Sequence, residues 1–218
     1  MKIAVLGGTG KLGRGLAARW AIAGHEVLVG SRSRERGAKA AREISEEVKA
    51  LGREVELGSG LYEEVSKEAE VVVLSVPFWG LEAALEAIRG VVKDKIVLSP
   101  VSPVRVERGR VELLPVEAGS VAELVRERLP GARVSSAFQT VSYAKLSRLE
   151  ETLEGDVVVC SDDEQAKEVT MELVEAIPSL RALDGGPLAN SRYVEGLAYL
   201  VIDMAVRLKK PELTVKFI

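Results

Sequence analysis

Short apolar runs rich in β-branched residues alternate along the chain with longer amphipathic stretches. That is the pattern of repeated strand–helix units around a parallel sheet. Lys2–Leu6 is apolar almost throughout, as a parallel strand covered on both faces must be, and predicts the first strand. A glycine loop follows, then a helix to about Ala23, a turn at Gly24–His25 and a second strand at Glu26–Gly30. From Glu35 to Leu51 charge and alanine alternate at helical spacing. Glu54–Leu57 is expected as a third strand and Tyr62–Glu68 as a helix. Val71–Val76 is the clearest buried strand, stopped by Pro77. Helix Trp79–Ile88 leads to strand Ile96–Pro100, and helix Val121–Leu129 leads to strand Arg133–Phe138.

Beyond this sixth strand the pattern changes. Asp156–Cys160 reads as a further short strand, and Ser161-Asp162-Asp163-Glu164 as a capping box that opens a helix toward Ile177. A turn at Asp184-Gly185-Gly186-Pro187 precedes a last helix from Ser191 to about Leu208, stopped near Pro211. The expected fold class is α/β, a Rossmann-type doubly wound parallel sheet over residues 1–152, with residues 153–218 as a small C-terminal α/β extension. An extension that short buries little surface alone, so it should pack on the first domain or on a second subunit.

The strongest site signal is Gly7-Gly8-Thr9-Gly10-Lys11-Leu12-Gly13, directly after a predicted strand and at the opening of a helix. Gly8, Gly10 and Gly13 satisfy G-x-G-x-x-G. In this spacing the first glycine permits the turn, the second admits a pyrophosphate to the backbone, and the third lets helix and strand pack closely. The helix N-terminus offers free N–H groups to the phosphates. A P-loop is excluded, because Leu12 stands where its Ser or Thr would be and Val5 where its leading glycine would be.

The end of the second strand selects the dinucleotide. A site for NAD carries Asp or Glu there, whereas this chain has Ser31-Arg32-Ser33-Arg34-Glu35-Arg36. A serine hydroxyl and guanidinium groups would hold a 2′-phosphate by charge-assisted hydrogen bonds, so Ser31, Arg32 and Arg36 predict NADP, with Arg34 pointing away. Ser75, Val76, Pro77 and Phe78 end the fourth strand at the carboxyl edge, where ligands of open α/β sheets sit. Strand-end Ala137 is expected beside the nicotinamide.

Composition narrows the chemistry. With 47% hydrophobic and 29% charged residues over 218 positions the chain is an ordinary globular one, and wholesale disorder is excluded. Thirty Lys and Arg against 33 Asp and Glu give a net charge of −3, which argues against nucleic acid as a partner. The only cysteine, Cys160, excludes an intrachain disulfide and fits a reducing compartment; with no secretory or membrane segment visible, a cytoplasmic protein is expected. His25 is the only histidine, which argues against a His-rich metal site or a Ser-His-Asp triad. Asp162, Asp163 and Glu164 are explained by helix capping, so no metal is expected. Asn190, Gln139 and Gln165 are the only side-chain amides while Glu, Arg and Lys abound, a bias that suggests a thermophilic source. Tyr143 is followed by Lys145 rather than by a lysine four positions on, so the Tyr-x-x-x-Lys proton relay of short-chain dehydrogenases is absent. No catalytic acid–base pair is expected. Hydride transfer between two redox rings needs stacking and water exclusion more than a proton donor.

The segments Lys2–Gly15, Gly24–Arg32, Val73–Pro77 and Leu183–Glu195, with Lys216-Phe217-Ile218, resemble the F420-dependent NADP oxidoreductases over essentially the whole chain. The tail LDGGPLANSRYVE is the more specific part of the likeness. The resemblance implies NADP on the N-terminal domain and a deazaflavin stacked on its nicotinamide in a cleft between the two domains. Hydride would pass between C5 of the deazaflavin and C4 of the nicotinamide. It also implies that Asn190, Ser191 and Leu213 help build the cleft and a homodimer. Where the family's F420 enzymes carry His-Thr and an Ile-Pro pair, this chain has Gln139-Thr140-Val141-Ser142, which makes Gln139, Thr140 and Ser142 the expected second-substrate contacts. Ala137-Phe138-Gln139-Thr140 is similar to a pattern in flavin-using relatives, so FMN or FAD is kept as an alternative. Two other readings stay open: an NADPH-dependent reductase of a flavin or small imine or ketone, and a non-catalytic NADP-sensing protein.

Overall fold

A computed structural model describes residues 1–218. In chain order the elements are β1 (Lys2–Leu6), α1 (Lys11–Ile22), β2 (Glu26–Ser31), α2 (Arg34–Ala50), β3 (Gly58–Leu61), α3 (Tyr62–Glu68), β4 (Val71–Leu74), α4 (Leu81–Ile88), β5 (Ile96–Ser99), β6 (Val104–Glu107), β7 (Arg110–Leu113), α5 (Val121–Arg128), β8 (Arg133–Ser136), α6 (Tyr143–Leu146), β9 (Gly155–Ser161), α7 (Glu164–Glu175), β10 (Leu180–Asp184) and α8 (Ser191–Leu208). Eight strands form one sheet in the order β10-β9-β8-β5-β4-β1-β2-β3. Every neighbouring pair is parallel except β8 with β9. This is the doubly wound α/β fold read from the sequence.

Both faces of the sheet are covered, as the unbroken apolar runs require. Ile3 and Val5 of β1 pack with Leu16, Trp20, Ile44 and Leu173 on one side, while Ala4 and Leu6 pack with Leu74, Leu85 and Val125 on the other. Residues 153–218 are not set apart from this body. Their strands β9 and β10 continue the same sheet, and Leu173, Val174 and Ile177 share the core of α1 and β1. Trp20 Nε1 donates to the Leu173 carbonyl at 2.8 Å, and the buried Arg19 guanidinium donates to the carbonyls of Leu146 and Arg148.

Four local expectations are corrected. The third strand lies at Gly58–Leu61 rather than Glu54–Leu57. Gly58 pairs with Leu28 of β2, and the Leu28 side chain packs over it, its Cδ2 2.4 Å from where a Cβ would stand. Helix α7 is capped by Asp163, whose Oδ1 accepts from Ala166 N at 2.8 Å. Ser161 instead ends β9 and donates to the Val134 carbonyl of β8. The antiparallel hairpin β6–β7 stands where the sequence reading placed no element; it turns on Arg108 and Gly109, both at positive φ (48° and 77°), as a tight hairpin demands. Strand β10 was likewise not expected. No helix is long and apolar enough to cross a membrane.

Candidate active site

The glycine loop leaves β1 at the carboxyl edge of the sheet, and its tightest contacts are with backbone atoms. Gly7, not Gly8, makes the turn: its φ is +74°, and a Cβ there would stand 2.2 Å from the Ser75 carbonyl oxygen. On Gly8 a Cβ would come within 3.0 Å of the Val5 carbonyl, and on Gly13 within 2.7 Å of the Gly7 carbonyl, so α1 seats directly on the turn. Gly10 opens α1 with no side-chain cap, and no acidic residue occupies the first turn. Thr9, Gly10 and Lys11 are exposed above it. The positive end of the helix dipole therefore faces open space, ready for an anion.

Strand β2 ends nearby without a carboxylate. Ser31 is buried, and its Oγ accepts from Ser33 N at 3.3 Å; Ser33 in turn caps α2. Arg34 pairs with Glu64 of α3. Arg32 and Arg36 are exposed, and neither guanidinium meets a carboxylate.

Beside this cradle lies a cavity of about 650 Å³ at the ends of β4, β5 and β8. Val76, Pro77, Phe78 and Trp79 form one side, Pro100 to Ser102 the next, and the loop Phe138 to Tyr143 the third. Leu12 reaches in from α1, so cradle and cavity share a wall. Val104 and Val106 of the hairpin, Val201, Ile202, Ala205 and Val206 of α8, and then Lys209, Pro211 and Leu213 close it. Fifteen of its 23 lining residues are hydrophobic, none is acidic, and Tyr143 and Lys209 are the only ionisable ones.

The loop after β8 carries a strained residue. Phe138 adopts φ +71° although it is aromatic and almost fully buried. Its ring is held edge-on against Trp20, with centroids 5.8 Å apart at 81°. The reversal delivers Gln139 to the cavity wall, where Nε2 donates to the Ser99 carbonyl at 3.3 Å and Oε1 is buried without any donor. Thr140 is buried beside it. Ser142 Oγ donates to the Pro211 carbonyl at 2.7 Å and so ties the C-terminal segment to the wall. Lys11 Nζ lies 5.0 Å from the centre of the Tyr143 ring, a cation–π contact from glycine loop to cavity rim.

Three expected positions lie elsewhere. Ala137 is fully buried in the core, its N–H donating to the Ser99 carbonyl, and does not line the cavity. Asn190 Nδ2 donates to the Gly185 carbonyl at 2.7 Å, and Ser191 Oγ is 2.6 Å from Ser136 Oγ with no exposed surface. Both belong to a polar lock at the start of α8. Within it Arg192 pairs with Glu123, and Glu195 accepts from Val121 N and Ala122 N at 2.9 and 3.2 Å. Burial outweighs these two donors and pushes the Glu195 carboxyl up to about 7. The tail motif thus anchors the helix whose other end lines the cavity. Gly185 must be glycine, since a Cβ would stand 2.4 Å from Val158 Cγ1. His25 and Cys160 do not line the cavity, and burial raises the Cys160 thiol. No group of three or more His, Cys, Asp or Glu side chains converges as a metal site would.

The hairpin and α8 residues were not foreseen as part of the site. The alternation Val104-Arg105-Val106-Glu107 before Arg108-Gly109 was the available signal for the hairpin. For α8 nothing in an apolar helical face tells a cavity wall from a core.

Comparison with known proteins bears on both halves of this site. Residues 2–103 match the family model described as NADP oxidoreductase coenzyme F420-dependent. Over 211 residues the chain is 37% identical to the F420-dependent NADP reductase of Methanocaldococcus jannaschii, covering 96% of this chain and 94% of that protein. It is 37% identical to the F420-dependent NADP reductase of Methanothermobacter thermautotrophicus, over 95% of this chain and 90% of that one. A crystal structure from Arthrobacter sp. FB24, assigned as a candidate F420-dependent NADP-reductase, superposes with a TM-score of 0.84 at 26% identity, over 100% of this chain and 99% of that one. The likeness runs through the hairpin, the α8 lock and the C-terminal segment as well as the nucleotide-binding half, and on that ground the chain belongs to the family of F420-dependent NADP oxidoreductases.

Proposed function

We propose that the protein is an oxidoreductase that transfers a hydride between NADP(H) and the deazaflavin coenzyme F420. The observation that carries the reading is the shared wall: an apolar, acid-free cavity opens directly against the end of the glycine cradle at Leu12.

The residues fit both groups. The close contacts at Gly7, Gly8 and Gly13 seat α1 directly on the turn, and Thr9, Gly10 and Lys11, with Leu12 after them, stand at its uncapped start, where backbone N–H groups face a pyrophosphate. Arg32 and Arg36 hold the 2′-phosphate, with Ser31 shaping the strand end beneath them. Val76, Pro77 and Phe78 support the nicotinamide side, and Ser75 backs the glycine turn. The lone Oε1 of Gln139 lacks a donor that a ring N–H supplies, and Thr140 lies beside it. Ser142 and Leu213 fix the far wall. With both ligands bound, the two-electron chemistry is theirs: hydride moves between C4 of the nicotinamide and C5 of the deazaflavin, with one proton exchanged with solvent. The protein contributes orientation and exclusion of water.

Family kinship gives no support to FMN or FAD as second substrate. A sensor without turnover would have no use for the second cavity. A homodimer is supported by Leu200, Met204 and Leu208, large apolar residues exposed along α8. A cytoplasmic location accords with the lone buried Cys160, and a heat-adapted source with the scarcity of Asn and Gln. NADPH oxidation measured with F420, FMN, FAD and no acceptor tests the reading. Turnover with F420 alone is expected; equal turnover with the flavins, or none with F420, overturns it.

A further inference from the structure

The cavity carries one fully charged side chain, Lys209, and its position is built. Lys209 ends α8 in left-handed backbone, φ 53° and ψ 37°, where helices ordinarily place glycine. Its N–H bonds to the Val206 carbonyl and that of Lys210 to the Ala205 carbonyl, so the chain folds back over the last turn of the helix. A lysine accepts the steric cost of this conformation at a position where glycine would be free of it. The neighbouring carboxylates are engaged elsewhere, Asp203 with Arg207 and Glu212 with Arg148, and Lys209 has no ion pair. Below it the wall is apolar, formed by Ala205 and Val206. A cation over an apolar, acid-free chamber suits a ligand with a planar ring and an anionic tail.

We infer that Lys209 is the specificity-determining contact for the anionic tail of the second substrate. The inference rests on the F420 reading above. That coenzyme carries its deazaflavin on a ribityl chain followed by a phosphodiester and then glutamate carboxylates, and either anion supplies the chemistry that Lys209 recognises.

The test compares three acceptors: F420 itself, the form that ends at the phosphodiester, and the deazaflavin bearing only the uncharged ribityl chain. Lys209→Gly removes the charge and suits the left-handed backbone, and Lys209→Arg restores the charge. In the glycine variant KM for F420 should rise about two- to fivefold, the scale of a solvent-exposed charged contact. KM for the ribityl form, KM for NADPH and kcat should hold, Tm should hold or rise because glycine is free of the left-handed strain, and Lys209→Arg should recover KM for F420. Added salt should raise KM for F420 in the parent and much less in the glycine variant. A matching rise for the phosphodiester form identifies the phosphate, and a rise for F420 alone identifies the carboxylates; both support the inference. Equal shifts for F420 and the ribityl form, or no shift at all, overturn it. Failure of the parent protein to reduce any of the three overturns the hydride-transfer reading and this inference with it, before any variant is made.

Discussion

The nucleotide cradle and the apolar cavity meet at Leu12 and are built in opposite ways. The cradle as proposed draws on two short stretches, 7–13 and 31–36, and its turn on main-chain geometry: a positive φ at Gly7 and close approaches at Gly8 and Gly13. The cavity draws on side chains from the ends of three strands, the hairpin, α8 and the residues after it. One site is fixed atom by atom within a few residues. The other exists only while α8 is held in place by a lock at its far end. Damage to the cradle should therefore be local and severe, and damage to the cavity remote and graded.

The sharpest test of the first half is Gly7→Ala. The new Cβ would stand 2.2 Å from the Ser75 carbonyl, on a backbone that disfavours any side chain. Strain and clash together should cost about 3 kcal/mol or more in stability and abolish measurable NADPH binding. Thermal melting and an NADPH titration check this. A variant that melts and binds like the parent would mean the turn is not the cradle.

The lock offers the matching test of the second half. Burial raises the Glu195 carboxyl from 4.5 to about 7, so the folded state prefers it protonated. The stability linked to this group is fully present below pH 4.5 and is lost as pH rises through about 7. The shift corresponds to roughly 3 kcal/mol. Glu195→Gln cannot ionise, so the stability difference between parent and variant should tilt in the variant's favour across that window and level off above it. Denaturant melts at several pH values read the difference. NADPH affinity should be indifferent to the exchange; if it falls along with stability, lock and cradle are not independent.

A third effect separates the two sites by ligand. On the proposed reading Arg32 donates a charged hydrogen bond to the 2′-phosphate, so Arg32→Ala should weaken NADPH by about 1.5–3 kcal/mol while leaving NADH nearly unchanged. Titration of both nucleotides decides it, since equal losses would place Arg32 outside the phosphate site.

The same contrast explains what could be read from the sequence. The sheet, its central strands and the glycine loop were legible because each is a local pattern with a local cause, although the turn residue proved to be Gly7 and not Gly8. After β2 the direction of Arg34, turned to Glu64 and away from Arg32 and Arg36, was legible for the same reason. The cavity was legible only where a strand end reaches it, at Val76 to Phe78 and Gln139. Val201 and Val206 look like any core face, because what they pack against is set by a hairpin about a hundred residues earlier. Asn190 and Ser191 misled for a related reason: a polar motif opening a helix suits a ligand and a lock equally, and only the Gly185 carbonyl and Ser136 hydroxyl show which it is. Phe138 gave no sign of its positive φ, since nothing in an aromatic residue announces a left-handed turn.

The smallest expected effect is the most discriminating for the cradle. Arg34 lies two residues from both Arg32 and Arg36, carries the same charge, and differs only in direction, turned to Glu64 at the surface. Both side chains of that pair are open to solvent, 67% and 38% exposed, where ion pairs contribute little. Arg34→Ala should therefore change stability by no more than about 0.5 kcal/mol and leave NADPH affinity at the parent value in the titration that registers Arg32→Ala. If the loss instead equalled that of Arg32→Ala, the 2′-phosphate would be held by a diffuse basic field that any nearby arginine supplies. The cradle would then depend on net charge rather than on position, and the contrast with the remotely assembled cavity would lose its local half.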